Sequence, residues 1–144
     1  MTAVSVRRGI GVYEVIHMNA AQLHDFATRY TAAWCSQDPA TVAKFLDAWL
    51  RVNEKAPVLG RQEITELVRS LMNAFPDLRV IMNDLRLHPG CAEFYWTLIG
   101  TNTASGGTGR RVRVSGFDRW QIGDDGLISS LDCLSEVRVP QDSA

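Results

Sequence analysis

Between Arg110 and Ile122 the sequence alternates so strictly that a strand with one wet face and one dry face is the simplest fit. The run reads Arg-Arg-Val-Arg-Val-Ser-Gly-Phe-Asp-Arg-Trp-Gln-Ile. Val112, Val114, Gly116, Asp118, Trp120 and Ile122 share one face. Arg111, Arg113, Ser115, Phe117, Arg119 and Gln121 share the other, and three arginines send that face to water. Asp118 is thereby directed into an apolar interior beside Trp120. A carboxylate there costs several kcal/mol unless it is paired, hydrogen-bonded or protonated. Such groups gather at functional sites; a structural Asp tied to backbone or Arg explains the same pattern equally well.

The chain around this strand is of ordinary size and balance. Its 144 residues suffice for one domain with a real core, and its net charge of −1 attracts neither nucleic acid nor an anionic membrane. No apolar run approaches the roughly 20 residues that span a bilayer. No secretory signal pattern follows Arg7 and Arg8. Cys35, Cys91 and Cys133 lack paired-ligand spacing, and His17, His24 and His88 do too, so neither a metal nor another cofactor is expected. A reducing cytoplasm fits this cysteine usage.

Residues 1–18 form an N-terminal extension with a β-prone stretch from Gly11 to His17, readable as an edge strand, a dimer arm or a disordered leader. A domain over 19–139 and a tail over 140–144 follow. Asn19 with Gln22 makes a capping-box pattern for a helix to about Ser36. Asp38-Pro39 opens a short second helix to about Leu46. Ala48 to Asn53 reads as a strand, with a loop through Pro57 to Gly60. A third helix over Arg61–Ala74 carries Ile64, Leu67, Val68, Leu71 and Met72 inward. Four strands are then expected, over Leu78–Leu87, Ala92–Thr103, Arg110–Ile122 and Leu127–Val139. Helices followed by an antiparallel meander argue for an α+β domain.

These elements and their motifs resemble the NTF2-like superfamily, in particular its SnoaL-like polyketide cyclases and ketosteroid isomerases. The segments are Phe26 to Trp34 with Gln37-Asp38-Pro39, Trp96 to Thr103, and Gly109 to Asp118 continuing through Ile128. The resemblance covers about residues 20–138. It implies a cone of three N-terminal helices packed on a curved, mainly antiparallel sheet that encloses one pocket. It also implies a small hydrophobic carbonyl-bearing ligand and a homodimer through the outer sheet face, where Ser115, Phe117, Arg119, Thr97, Ile99 and Thr101 would be exposed.

Carried over by motif, the isomerase pattern puts an oxyanion hole at Tyr30 and a protonated Asp118. This carboxyl-donor arrangement in the ketosteroid isomerase is an established example. Its separate base falls on Glu54, or on Asn53 if the count shifts by one. The cyclase pattern makes Asp118 the acid/base of ring closure. Where relatives often carry His and a further acid, this chain has Asn102 and Cys133, with Asp132 beside the latter. Trp96 and Leu98 replace the Arg and Asp of limonene epoxide hydrolases, which argues against that chemistry. Trp49, Arg51 and Asn53 share a face; if it is the inner one, Arg51 can pair with Asp118. The expected catalytic set is Asp118, Tyr30 and Glu54. Arg51, Asn53, Trp49, Trp96, Asn102, Trp120 and Cys133 would bind substrate. The reaction would be a cofactor-independent isomerisation or aldol-type cyclisation. A non-catalytic ligand-binding or dimerisation module remains the competing class.

Overall fold

Helix starts in this chain are set by side chains that satisfy the first unpaired backbone groups. Asn19 Oδ1 accepts from the Gln22 N–H at 2.8 Å, and Gln22 Oε1 accepts from the Asn19 N–H at 2.9 Å. This closes the capping box at the head of α1 (Ala20–Cys35). Asn19→Ala should therefore lower the urea-unfolding free energy by about 1 kcal/mol; an unchanged midpoint would mean that the cap adds nothing. Asp38 caps α2 (Pro39–Ala43), with proline in the first turn. Glu63 accepts from the Gly60 N–H at 2.8 Å at the start of α3 (Arg61–Ala74). The computed structural model describes residues 5–8, 11–14, 18–53, 58–103 and 106–136.

Two strands precede α1 within the expected extension. β1 (Ser5–Arg8) and β2 (Gly11–Glu14) pair antiparallel as a separate sheet. The main sheet holds β3 (Leu46–Val52), β4 (Val58–Gly60), β5 (Arg79–His88), β6 (Cys91–Thr101), β7 (Arg111–Ile122) and β8 (Ile128–Glu136). Its order is β4-β3-β8-β7-β6-β5. Every neighbouring pair is antiparallel except β3 and β8, which run parallel. Irregularities between Met82 and Asp84 and between Gln121 and Ile122 interrupt the ladders, as bulges that bend a sheet do. The result is an NTF2/cystatin-like α+β fold with a curved six-stranded sheet and few helices.

Several readings of the sequence need correction. The expected loop before Gly60 contains β4, because Val58–Gly60 pairs with Trp49–Arg51. The second helix ends at Ala43 rather than near Leu46, where β3 begins. Leu67, assigned inward, lines the cavity but is 56% exposed, whereas Ile64, Val68 and Met72 are buried.

One face of the sheet and the helices enclose the core. α1 packs on β5, and α3 packs on β3 and β4. Phe94 and Trp120 lie opposite helix α1 and stack at 4.8 Å between ring centroids. Tyr30 meets Trp120 edge-on at 5.2 Å and Phe94 at 5.6 Å. Offset and edge-to-face geometry makes such a cluster stiffer than aliphatic packing alone. On the other sheet face Thr97 is buried, not exposed as expected. Its hydroxyl donates to Asn83 Oδ1 at 2.6 Å and lies 2.9 Å from Ser115 Oγ, both on exposed residues, so Thr97 is covered by its own polar neighbours.

Candidate functional site

The inner sheet face and the helices bound a cavity of about 510 Å³, a volume that suits a drug-sized ligand. Most of its wall is aliphatic, from Leu46, Leu50 and Val52 of β3 to Leu71 of α3 and Leu98 of β6. Polar atoms come from few places: Tyr30 and Trp34 on α1, Ser70 on α3, Trp96 on β6, Asp118 on β7 and Cys133 on β8. Leu67, Ser70 and Cys133 line the cavity and are also exposed, so it opens to solvent beside α3 and β8.

Strand register explains how the central groups meet. Phe94, Asp118 and Cys133 are cross-strand neighbours on β6, β7 and β8. Trp96, two residues beyond Phe94, points to the same face and donates its indole N–H to Asp118 Oδ1 at 3.0 Å. Asp118 is only 8% exposed. Burial drives its pKa up from the usual 3.8 to about 6, against the opposing pull of hydrogen bonding from Trp96 and Cys133 and a lesser contribution from Trp120. Trp120 Nε1 is buried without a hydrogen bond of ordinary geometry. Its influence on Asp118 is therefore that of a nearby dipole rather than a formed bond. Among the described residues no cationic side chain contributes to holding Asp118.

Tyr30 enters from the helix side, with its ring fixed by the aromatic cluster. Burial raises its pKa first, the nearby Asp118 charge raises it further, and Trp34 acts in the opposite sense. The phenol consequently keeps its proton across the neutral range and remains a hydrogen-bond donor. Trp96→Phe removes the N–H that favours the Asp118 carboxylate. It should raise the Asp118 pKa above about 6, by roughly one unit for one such bond. Carboxyl-resolved NMR titration checks this; an unmoved pKa would mean that the indole bond is electrostatically idle.

The chain's pattern is matched by the SnoaL-like domain family over residues 27–131. The chain belongs to the SnoaL-like family. Among solved structures, this SnoaL-like chain is similar to TsrD from Streptomyces laurentii, at 22% identity and a TM-score of 0.72, over 83% of this chain and 92% of that one. It is similar to a polyketide-cyclase candidate from Acidithiobacillus ferrooxidans, at 17% identity and 0.69, over 83% and 92%. An NTF2-like protein of unknown function from Exiguobacterium sp. 255-15 shows 16% identity and 0.64, over 78% and 99%. At these identities the likeness establishes the fold. No curated protein matches the chain significantly.

Of the residues singled out from the sequence, Asp118, Tyr30, Trp96 and Cys133 meet at the cavity of this SnoaL-like domain. Trp120 is fully buried behind it, among the core aromatics. Trp49, Arg51 and Asn53 are not brought there. Leu46, Leu50 and Val52 occupy the inner face of β3, which turns Trp49 and Arg51 outward and leaves Trp49 69% exposed. The proposed Arg51–Asp118 pair therefore does not form. Asn53 has φ 60°, and its side chain accepts from the Cys133 N–H at 3.0 Å. It anchors β3 to β8. Asn102 binds Arg110 and Gly109 through its backbone and closes a loop away from the cavity lining. Glu54 lies outside the described residues. Sequence reasoning did not single out Trp34 or Ser70 as site residues; the exposed face of an amphipathic helix gives no signal that it borders a void. Among the described residues no cluster of His, Cys, Asp and Glu is arranged to hold a metal, and no helix is long and apolar enough to cross a membrane.

Proposed function

We propose that this protein is a cofactor-independent acid/base enzyme that moves a proton next to the carbonyl of a hydrophobic compound, leading to isomerisation or aldol-type ring closure. One observation carries the reading: a buried carboxyl with a pKa of about 6, alone of its kind among the described residues in the wall of an apolar cavity. A proton acceptor works best when its pKa lies near the operating pH. At neutral pH most Asp118 is carboxylate and can take a proton from the carbon beside a bound carbonyl. The C–H electron pair moves into the enolate, and the Tyr30 hydroxyl is the donor available to the enolate oxygen. The neutral Asp118 then returns the same proton, either to a different carbon or to the alkoxide formed by ring closure. Trp96 limits rotation of the carboxyl through its bond to Oδ1. This use of Asp118 departs from the isomerase pattern of a permanently neutral donor and agrees with the cyclase pattern.

The competing reading is a ligand-binding module. It is favoured by the absence, among the described lining residues, of a second carboxylate or a histidine. Deuterium exchange separates the two. With a panel of aryl methyl ketones in D2O, an enzyme of this kind speeds methyl-proton loss above the buffer rate, with the rate rising as pH passes about 6. Ketones that bind without accelerated exchange would leave the binding module as the function.

We further propose that two copies associate through the outer sheet face. There Tyr95 and Phe117 stack at 4.8 Å, and Leu134 is exposed at the edge of a hollow that Ser115 and Asn83 also line. Phe117→Glu should shift the sedimentation mass from dimer to monomer with the circular dichroism spectrum retained. A monomeric wild type would refute the association.

A further inference from the structure

Asp118 raises a question of charge that proton transfer does not answer. It is buried, and above pH 6 it is mostly ionised. Buried charges are ordinarily compensated by an opposite charge. Among the described residues, however, no Arg, Lys or His lines the cavity. The titratable groups that face Asp118 are Tyr30 from α1 and Cys133 from β8; neither can carry a positive charge. The linings contributed by α3, β3 and β6 hold no titratable group at all among the described residues. The described lining of the ionised cavity therefore carries a net negative charge inside an apolar wall.

That wall is also aromatic near the carboxyl. Tyr30, Trp34, Phe94 and Trp96 all line it, and the Tyr30 and Trp34 rings meet edge-on at 6.4 Å. Ring faces attract cations, and most strongly where water is excluded. A carboxylate that shares its wall with four aromatic rings, with aliphatic surface beyond, is complementary to an ammonium group on an apolar body. The same charge repels a carboxylate or phosphate, which would also find no cation among the described lining residues.

We propose that the cavity is charge-selective: it binds apolar amines as their ammonium ions, with Asp118 as counter-ion, and excludes anionic ligands. The ammonium nitrogen donates to the Asp118 carboxylate while the hydrocarbon body lies along the aliphatic wall. Such a ligand also holds Asp118 ionised and blocks its proton transfer, so apolar amines act as competitive inhibitors or mark a substrate that bears a basic nitrogen. The inference rests on the cavity being a ligand site, as under the proposed function, but not on catalysis there.

Three compounds of nearly equal shape test it by calorimetry: 2-acetonaphthone, 1-(2-naphthyl)ethylamine and 2-naphthoate. At pH 8 the amine should bind at least about tenfold more tightly than the ketone, and the naphthoate at least about 100-fold more weakly than the amine. At pH 5 Asp118 is neutral and the amine's advantage should shrink to about twofold or less. Asp118→Asn should abolish the advantage at pH 8 and leave ketone binding within about threefold. The wild-type comparison between pH 5 and pH 8 decides the matter even if that variant folds poorly. An amine that binds no better than the ketone at pH 8, an advantage unchanged at pH 5, or no binding by any of the three overturns the proposal. Ketone exchange without amine preference would sink this inference alone; amine preference without exchange would sink the enzymatic reading alone.

Discussion

Asp118→Asn is expected to slow deuterium exchange of a bound aryl ketone by about 10²–10⁴-fold, the usual contribution of a positioned proton acceptor. The same substitution should make the protein more stable in alkali. Asp118 has a folded-state pKa of about 6 against an ordinary 3.8. A group raised in this way favours folding fully below its unfolded pKa, and that contribution is lost as pH rises through the folded value. Above pH 6 the ionised wild type therefore carries a cost on the order of 3 kcal/mol, from about 1.4 kcal/mol per pH unit. Asparagine keeps an acceptor for the Trp96 N–H and avoids the buried charge. Urea midpoints at pH 8 should then favour the variant by about 1–3 kcal/mol, and the difference should vanish near pH 4. A variant less stable at pH 8 would mean that the carboxylate is a satisfied structural group.

Trp120→Ala should have the largest effect on stability, a loss of about 3–5 kcal/mol in urea unfolding with the slope unchanged. Trp120 has no exposed surface, stacks on Phe94 and receives the edges of Tyr30 and Phe26. Deleting its ring removes a support of Tyr30 and of the strand that carries Asp118. Exchange activity should fall even where the variant is still folded. A loss below about 1 kcal/mol would show that the aromatic cluster repacks around the gap.

Most of the fold was legible because its signals are local. The spacing of Ile64, Val68 and Met72 gave α3 its observed bounds, and the caps at Asn19 and Asp38 placed α1 and the start of α2. Alternation along β7 assigned Asp118 inward, where it is buried. β4 escaped notice because three residues carry no period, and only its pairing with β3 makes it a strand. Arg51 and Trp49 were ambiguous for a related reason. Either face of a short strand can be inner until its neighbours are known, and here Leu46, Leu50 and Val52 take that face. The paired roles expected at Tyr30 and Asp118 depended on register between distant strands and a helix, which periodicity does not contain. Their common cavity and their electrostatic contact appear only in three dimensions.

The parallel pairing of β3 with β8 also sets an order of events during synthesis. Asn53 reaches the Cys133 backbone across 80 residues of sequence, whereas β5 to β8 form a meander of near neighbours. Closing so long a loop is entropically costly and slow compared with hairpin formation. On a ribosome the β3–β4 arm must wait until β8 has emerged before it finds its place in the sheet. Until then Leu50 and Val52 lack the strand neighbour that completes their wall, and that apolar arm is the part of the nascent chain most in need of protection from aggregation.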